Sequence, residues 1–290
     1  MFCELFGYSK QAYYKQTQFK ALSQMKMERA KSLVLHLRRQ MPRLGTRKLY
    51  YLLGDDFSQD QIKMGRDKLF DFLRSEGLLI LRRKKYIVTT NSKHWMKKFP
   101  NLIKDLTIHR PEQVWAADIT FIDTVENGNC YLHLITDAYS KQIMGYELCN
   151  NMEASSTLKA LKMAIKSRQY KDQHLIHHSD RGLQYCSKMY TQTLINNKIT
   201  ISMTENGDPY ENAVAERVNG ILKDEFGLSE QLSTLAEANK QTTQSIEIYN
   251  SLRPHLSCQM LTPNKMHQQQ EIKIKRYKKR SNIFRDVLSF

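Results

Sequence analysis

Two textures divide the chain, and each predicts its own kind of element. Between Met25 and Arg39 apolar residues recur at helical spacing, with Ala30, Leu33, Val34 and Leu37 on one stripe. Residues 1–16 read as a short helix, a turn at Gly7-Tyr8-Ser9, and a second helix capped by Ser9 and running through Tyr14. Thr46 is placed to cap a helix through Leu53, and Ser58 or Asp60 to start another with Leu69, Phe70 and Leu73 inward, which Gly77 stops. At Val114 the pattern turns strand-like. VWAADITFID, CYLHLITDAYS after the Asn127-Gly128-Asn129 turn, and QIMGYELC predict three consecutive strands. An amphipathic helix over Glu153–Arg168, the short apolar strand HLIHHSD, a helix over Ser187–Asn197 and the strand ITISMT follow. The order βββαβαβα describes an α/β class, a mixed sheet with helices packed on it.

The last helix of that series starts near Pro209, with Asp208 as cap, Pro in the first helical position and Glu211 as the early carboxylate. Val214, Val218, Ile221 and Leu222 form its apolar stripe. At about 100° per residue, Asn212, Glu216, Asn219, Gly220 and Lys223 fall on the opposite side. Glu216 and Lys223 therefore share a face. A carboxylate and an amine two turns apart suit a divalent cation beside a phosphate; a solvated helix face is the plainer reading.

Composition narrows the field. With 290 residues, 41% hydrophobic and 26% charged, the chain can build two domains with full cores. No run approaches the roughly 20 apolar residues of a transmembrane helix, and no signal-peptide layout opens the chain, so a cytoplasmic protein is expected. The five cysteines are scattered without Cys-x-x-Cys spacing, which argues for reduced thiols and against a structural zinc site.

The net charge of +16 is unevenly spread: residues 1–100 carry +14, residues 101–270 carry −3, and residues 271–290 carry +5. Basic ends around a slightly acidic centre fit arms that hold a polyanion and a middle that collects carboxylates. Arg43, Arg47, Lys48, Lys63, Arg66 and Lys68, read as exposed, give the amino-terminal helices a basic face suited to DNA. The alternative is a helical bundle with a solvated basic face. The connector from Arg82 to Lys98 interleaves charge with Tyr86, His94 and Trp95, and Phe99 follows it, a pattern that can follow a nucleic-acid backbone or serve as a plain linker.

Three carboxylates lie on separate elements: Asp118 within the first strand, Asp180 at the end of the fourth, and Glu216 on the helix after the last. Thirty-five residues separate the last two. Such a set can hold two divalent ions about 3.5–4 Å apart, activating a water or sugar hydroxyl and stabilising a leaving oxygen. Magnesium suits an all-oxygen site. Asp123, Asp137, Glu205, Glu211 and Glu225 are rival acids, and local structure accounts for all but Glu205. Strand parity turns Asp123 away from Asp118, Asp137 sits where a turn begins, Glu211 belongs to the helix start, and Glu225 lies about 180° around the helix from Glu216. His177 and His178, as strand neighbours, point two ways.

In these contexts, WAADITFI, HHSDRGLQY and ENAVAERVNGILKDEF, the acids and Lys223 resemble the D,D(35)E signature of retroviral-integrase-type transposases. More specifically they resemble the second-frame (OrfB) product of the IS-three family of bacterial insertion sequences. RLGTRKLYYLL from Arg43 resembles that family's amino-terminal helix-turn-helix motif, and IYNSLRPHLSCQMLTP from Ile248 its carboxy-terminal motif. The resemblance implies a ribonuclease-H-like core that cleaves the 3′ ends of an insertion sequence and joins the freed 3′-hydroxyl to DNA, usually through a circular intermediate. It implies Asp118, Asp180 and Glu216 as ligands of two Mg2+ ions, with Mn2+ as substitute, and Lys223 as a contact to end DNA. Arg181, Arg217 and Asn219 are further DNA-contact candidates, and His178, Ser179 and Gln184 candidates for DNA contact or for supporting the acids. The sequence departs from the common pattern at Glu211 and at Arg217-Val218-Asn219, which bears on DNA contacts rather than on chemistry.

The implied partners are double-stranded DNA, as terminal inverted repeats and target, and further copies of the chain on it. An upstream-frame (OrfA-type) product, separate or fused, is a further expected partner; its helix-turn-helix and coiled coil do not occur in this sequence. The expected domains are a helix-turn-helix region over 1–80, a basic linker over 81–110, the catalytic core over 111–228, and a helix with a basic tail over 229–290. Two other readings use the same residues: a metal-dependent nuclease without joining, and a DNA-binding regulator derived from a decayed transposase.

Overall fold

The computed structural model describes residues 7, 9–80, 96–205 and 212–270. The chain divides into two compact units. One comprises Met1–Thr89, Ile122–Asn129 and Asn219–Ile248, the other Thr90–Phe121, Cys130–Val218 and Tyr249–Phe290.

The second unit is built on a five-stranded sheet of order β3-β2-β1-β4-β5. Its strands are β1 (Val114–Thr124), β2 (Gly128–Asp137), β3 (Ile143–Cys149), β4 (Leu175–Ser179) and β5 (Ile199–Met203). β2 and β3 pair antiparallel, whereas β4 runs parallel to both β1 and β5. This mixed sheet, with helices on it, is the ribonuclease-H-like fold expected, and the predicted strands and helices of the region fall within a few residues of those observed.

Alternation along the strands sends opposite parities to opposite faces. Trp115 and Ala117 join Leu175, Ile199, Ile201 and the helix residues Ala160, Leu161, Ala164, Tyr190 and Leu194 in one core. Val114 and Ile176 instead pack with Ala138, Ile103, Leu106, Ile108 and Val214. The helix over Ala154–Ser167 lies tight on β3 because of Gly145. A Cβ there would collide with the Ala160 carbonyl oxygen and stand 2.7 Å from the Ala164 nitrogen, so only glycine fits.

The carboxy-terminal motif closes this unit. Asn250 brackets Ile143 by accepting from its N–H and donating to its carbonyl, both at 3.0 Å. Tyr249 donates to the Lys141 carbonyl and stacks edge-on with His255. Thr262 caps the short helix Pro263–His267, whose Met266 packs with Tyr139 and Cys258. Residues 271–290, the expected basic tail, lie outside the described residues.

The amino-terminal part of the first unit is helical: α1 (Lys10–Gln40), α2 (Thr46–Leu52), α3 (Gly54–Gln59) and α4 (Arg66–Ser75). Ala30, Val34, Leu44, Leu49, Leu53, Phe57, Leu69 and Leu73 are buried in it. Ser9 does cap, accepting from the Ala12 N–H at 3.1 Å, but the helix it starts runs unbroken to Gln40. The two helices expected over 9–14 and 25–39 are therefore one, because no Gly or Pro lies between them to stop it. Thr46 is not a cap: Gly45 holds that position without a side-chain bond, and Thr46 is buried inside the first turn. The stretch read as the start of the third helix splits, α3 ending at Gln59 and α4 beginning at Arg66 after Gly65. Gly77 stops α4 as expected. At φ +66 it donates to the Arg74 carbonyl while Leu78 donates to Leu73, the paired bonds of a glycine-terminated helix.

The remaining helices are α5 (Ala154–Ser167), α6 (Leu183–Cys186), α7 (Lys188–Asn196), α8 (Ala213–Glu225), α9 (Leu235–Ser251) and α10 (Pro263–His267). The expected start of α8 at Asp208-Pro209, the helix before Gly7, and Tyr86, His94 and Trp95 of the connector lie outside the described residues. No described helix is long and apolar enough to cross a membrane.

Candidate active site

Ala116 pairs with His178 in the parallel register of β1 and β4. Two residues further along each strand direction stand Asp118 and Asp180, half-exposed. Parallel strands advance together, so this register continued two residues, past the end of β4, brings Asp180 level with Asp118 in the middle of β1, at the carboxyl end of β4 where an open α/β sheet presents its ligand-binding groups. Both carboxylates make themselves felt at the same phenol. Burial raises Tyr185 well above the usual tyrosine range, and the charges of Asp180 and Asp118 add to it.

Asp180 sits in a tight turn. Its Oδ1 accepts from the Gly182 N–H at 2.9 Å, and α6 begins directly after. Gln184, on that helix, donates to the Met152 carbonyl at 2.9 Å.

Glu216 is exposed on α8. Asn212, immediately before α8 and four residues ahead of Glu216, donates at 2.9 Å to the carbonyl of Ala117, the residue before Asp118. Val214 packs with Val114 and Ile176 on the face of the sheet that Asp118 shares by parity. The helix is thus tied to β1 beside Asp118, with Glu216 a turn beyond the tie. Among the described residues no group of three or more His, Cys, Asp or Glu is gathered closely enough to hold a metal ion. The pair Asp118 and Asp180 is delivered by register; the third acid is delivered only to the neighbourhood. The donor set is all carboxylate oxygen, which fits a hard divalent cation.

The apolar stripe of α8 is as expected, with Val218, Ile221 and Leu222 buried. Its opposite side is not uniformly open. Lys223 is half-buried, Arg217 exposed, and Asn219 buried at 5% exposure. Asn219 as a DNA contact is corrected to that extent: its side chain is inside the protein. Arg181 is half-buried, while His178 and Ser179 are fully buried. His177 donates to or accepts from the Tyr190 hydroxyl at 2.8 Å, and His178 meets Ser202 Oγ at 2.9 Å, so the neighbours do face opposite ways. Burial and the neighbouring His178 lower His177 to about 3, as befits a packed neutral ring.

In the helical unit Arg47, Lys63, Arg66 and Lys68 are exposed and Arg43 is partly so. Lys48 is not: it is buried, and its Nζ lies 2.7 Å from Glu225 Oε1. The exposure expected of Lys48 is overturned, since its ammonium is engaged by a carboxylate that the helix phase already turns away from Glu216.

Sequence reasoning passed over a second acidic cluster. Glu112 and Asp137 are fully buried beyond the start of β1. Glu112 pairs with Arg168 at 3.1 Å and accepts from the N–H groups of Gln169 at 2.6 Å and Tyr170 at 3.1 Å; His267 Nε2 stands 3.4 Å away. Burial pushes Glu112 up, but His267 and the two backbone donors outweigh it and hold the carboxyl below its ordinary value. Asp137 accepts from the N–H groups of Glu112, Tyr139 and Ser140 and from the Ser140 hydroxyl, and burial still raises it. Asp137 is thus the turn residue that its place before Ala138-Tyr139-Ser140 predicts.

Comparison with known proteins agrees with this architecture. The Integrase core domain family matches residues 108–209, and a second family of the same description matches 197–263. The insertion element IS600 uncharacterized 31 kDa protein of Shigella sonnei is 34% identical over 90% of this chain and 95% of its own length. The transposase for insertion sequence element IS629 of Shigella sonnei is 30% identical over 67% and 65% of the two chains, and transposase InsF for IS3A of Escherichia coli 32% identical over 66% of each. Among solved structures, the simian T-cell lymphotropic virus intasome contains a chain that matches 85% of this one and 78% of its own length at 19% identity and a TM-score of 0.48. The HTLV-2 integrase catalytic core domain, solved with magnesium, matches 55% of this chain and 97% of its own at 18% identity and a TM-score of 0.43. With a relative of this identity matched along nearly its whole length and an integrase core spanning the sheet and the helix after it, the chain belongs to the insertion-sequence transposases of the IS-three family, polynucleotidyl transferases of the retroviral-integrase-like superfamily.

Proposed function

We propose that Asp118, Asp180 and Glu216 form the catalytic centre of a reaction that cleaves the 3′ ends of an insertion sequence and joins the freed 3′-hydroxyl to DNA, through a circular intermediate. The observation that supports the reading is the parallel register of β1 and β4, which continued two residues brings Asp118 level with Asp180, with α8 tied to β1 at Ala117. Two Mg2+ ions, replaceable by Mn2+, would supply Lewis acidity to the attacking and leaving oxygens when bound. The chain's part is to hold three carboxylates where their charges repel one another without a cation. Convergence of Glu216 on the pair is therefore coupled to ion binding.

Lys223, half-buried two turns along from Glu216, is proposed to meet a phosphate of the end DNA, with Arg181 and Arg217 beside the site. The exposed Arg47, Lys63, Arg66 and Lys68, with Arg43, are proposed to hold duplex DNA by its backbone, and residues 1–80 to be the DNA-binding region. Binding two ends at once calls for further copies of the chain on DNA, and an upstream-frame product is a candidate partner protein in the cytoplasm.

The test is strand transfer with labelled oligonucleotides bearing the element's terminal repeats, in Mg2+ or Mn2+, comparing the chain with Asp118→Asn and Glu216→Gln. Joined products that vanish in both variants support the reading. Cleavage without joining favours a nuclease, and binding without chemistry, even with the upstream product present, favours a regulator derived from a transposase.

A further inference from the structure

Gly182 stands at φ −63 and ψ 148, a conformation that any residue adopts without strain. Glycine is not needed there for its backbone. It is needed for space. A Cβ on Gly182 would stand 3.0 Å from Asp180 Oδ1 and 3.1 Å from Gln184 Oε1, closer than a methyl group tolerates without displacing one of them. The same residue's N–H donates to Asp180 Oδ1 at 2.9 Å, so the bare Cα and the amide act on one carboxylate oxygen. Gln184 has little freedom to withdraw, since its Nε2 is bonded to the Met152 carbonyl at 2.9 Å. Tyr185 closes the other side, its ring Cδ2 lying 3.6 Å from the point a Cβ would occupy and its side chain fully buried.

We infer that Gly182 is a positioning residue for the reaction: its N–H pins one oxygen of Asp180, and its missing side chain lets that carboxylate sit close to the chain, so that the other oxygen is presented to a divalent ion. This deepens the proposed function and rests on its assignment of Asp180 as an ion ligand. The device acts at one atom. With Oδ1 engaged by an amide, the carboxylate cannot rotate freely between ion-binding and non-binding orientations. The ordering entropy is then met on folding and not at ion capture. Gly182→Ala keeps the amide and the backbone angles but pushes Oδ1 outward by a few tenths of an ångström, in a site where such displacements are felt.

The experiment uses the full chain. Binding of Mn2+ and Mg2+ alone is measured by calorimetric titration and by the rise in unfolding temperature with ion concentration. Strand transfer is measured in parallel as a function of ion and of end-DNA concentration. Gly182→Ala is expected to weaken ion binding by about tenfold and to raise the ion concentration for half-maximal joining, with the end-DNA dependence and the ion-free unfolding temperature little changed. Leu183→Ala, on the same turn with an exposed side chain, is expected to leave all of these at the parent values. Gln184→Ala separates the two neighbours. Added to Gly182→Ala it removes the Oε1 that the methyl would meet but leaves the encounter with Asp180, so the ion-binding defect persists relative to Gln184→Ala alone.

Unchanged ion binding in Gly182→Ala, or its full recovery in the double variant, overturns the inference. A lower ion-free unfolding temperature with the ion dependence intact does so too, since it marks a packing role only. Asp180→Asn tells the two levels apart. If it leaves joining intact, the proposed catalytic centre fails; if it abolishes joining while Gly182→Ala matches the parent, only the positioning role fails.

Discussion

Just before β1 Glu112, with Asp137 at the end of β2, is shut inside the protein; Asp118 midway along β1 and Asp180 just past β4 are half open to solvent. All four are carboxylates, so composition cannot explain the difference. Partners can. Glu112 is met by a guanidinium, an imidazole and two amide donors, and Asp137 by three amides and a hydroxyl. Burying a carboxylate is costly unless its lone pairs are satisfied, and these two are satisfied from within the chain. Asp118 and Asp180 instead keep part of their surface in solvent, where the proposed reading has them meet a cation. The buried pair serves the fold, and the half-open pair is the one proposed for chemistry.

An isosteric swap at each end puts that contrast at greatest risk. Asp118→Asn is expected to lower strand transfer by on the order of a thousandfold or more, while the urea midpoint of the protein stays level or rises as a like-charge neighbour is removed. Asp137→Asn is expected to do the reverse. Its amide would point hydrogens at donors that need an acceptor, costing about 2–3 kcal/mol of stability, and joining per folded molecule would persist. If the stability loss appears at Asp118 and the chemical loss at Asp137, the two ends have been assigned the wrong way round.

A second effect probes the closed end alone. Arg168→Met leaves Glu112 buried without its cation, and such broken pairs typically cost about 3–5 kcal/mol. Far-ultraviolet circular dichroism and urea unfolding would register it, with no shift in the ion dependence of joining in the fraction that remains folded.

The open end is legible in the sequence and the closed end is not, for a physical reason. Asp118 and Asp180 announce themselves through strand periodicity and short local contexts, and the βββαβαβα order places them on neighbouring elements. Asp137 is readable as a turn residue because its donors are within three residues, at Tyr139 and Ser140. Glu112 owes its role to Arg168, 56 residues away, and His267, 155 away, pairings that no local pattern encodes. Lys48 misleads for the same reason, its partner Glu225 being 177 residues distant. In the helical unit the apolar stripes are readable, yet α1 reads as two helices because its exposed amino-terminal half carries little periodicity.

Acid should tell the buried histidines from both carboxylate ends. Burial lowers His133 to about 4 and His177 to about 3, so both rings stay neutral in the folded protein while the unfolded chain protonates near 6.5. The unfolded state therefore binds more protons below that value, and stability is lost as pH falls from about 6.5 toward 4, by up to about 1.4 kcal/mol per pH unit for each ring. Asp137, raised in the folded state, works in the opposite sense, taking its proton earlier when folded. Urea midpoints at pH 7 and pH 5 check the sign: the drop is expected in the parent and reduced in His177→Phe, even though that variant starts lower by leaving the Tyr190 hydroxyl without its ring nitrogen.

The contrast between engaged and open charge recurs in the helical unit, one residue apart, and gives the mildest prediction. Lys48 is buried against Glu225 and Arg47 beside it is exposed. If exposed cations of this unit hold DNA, Arg47→Ala should weaken binding several-fold, about equally for all sequences, and lower the salt-dependence slope by about 1, with stability unchanged. Lys48→Met should leave the salt slope alone and cost about 1–3 kcal/mol of folding, because Glu225 loses its partner in a largely dry setting. Equal salt slopes for parent and Arg47→Ala would remove Arg47 from the DNA-binding face. A lower slope for Lys48→Met would mean that the ion pair with Glu225 opens on DNA and that the lysine serves both states.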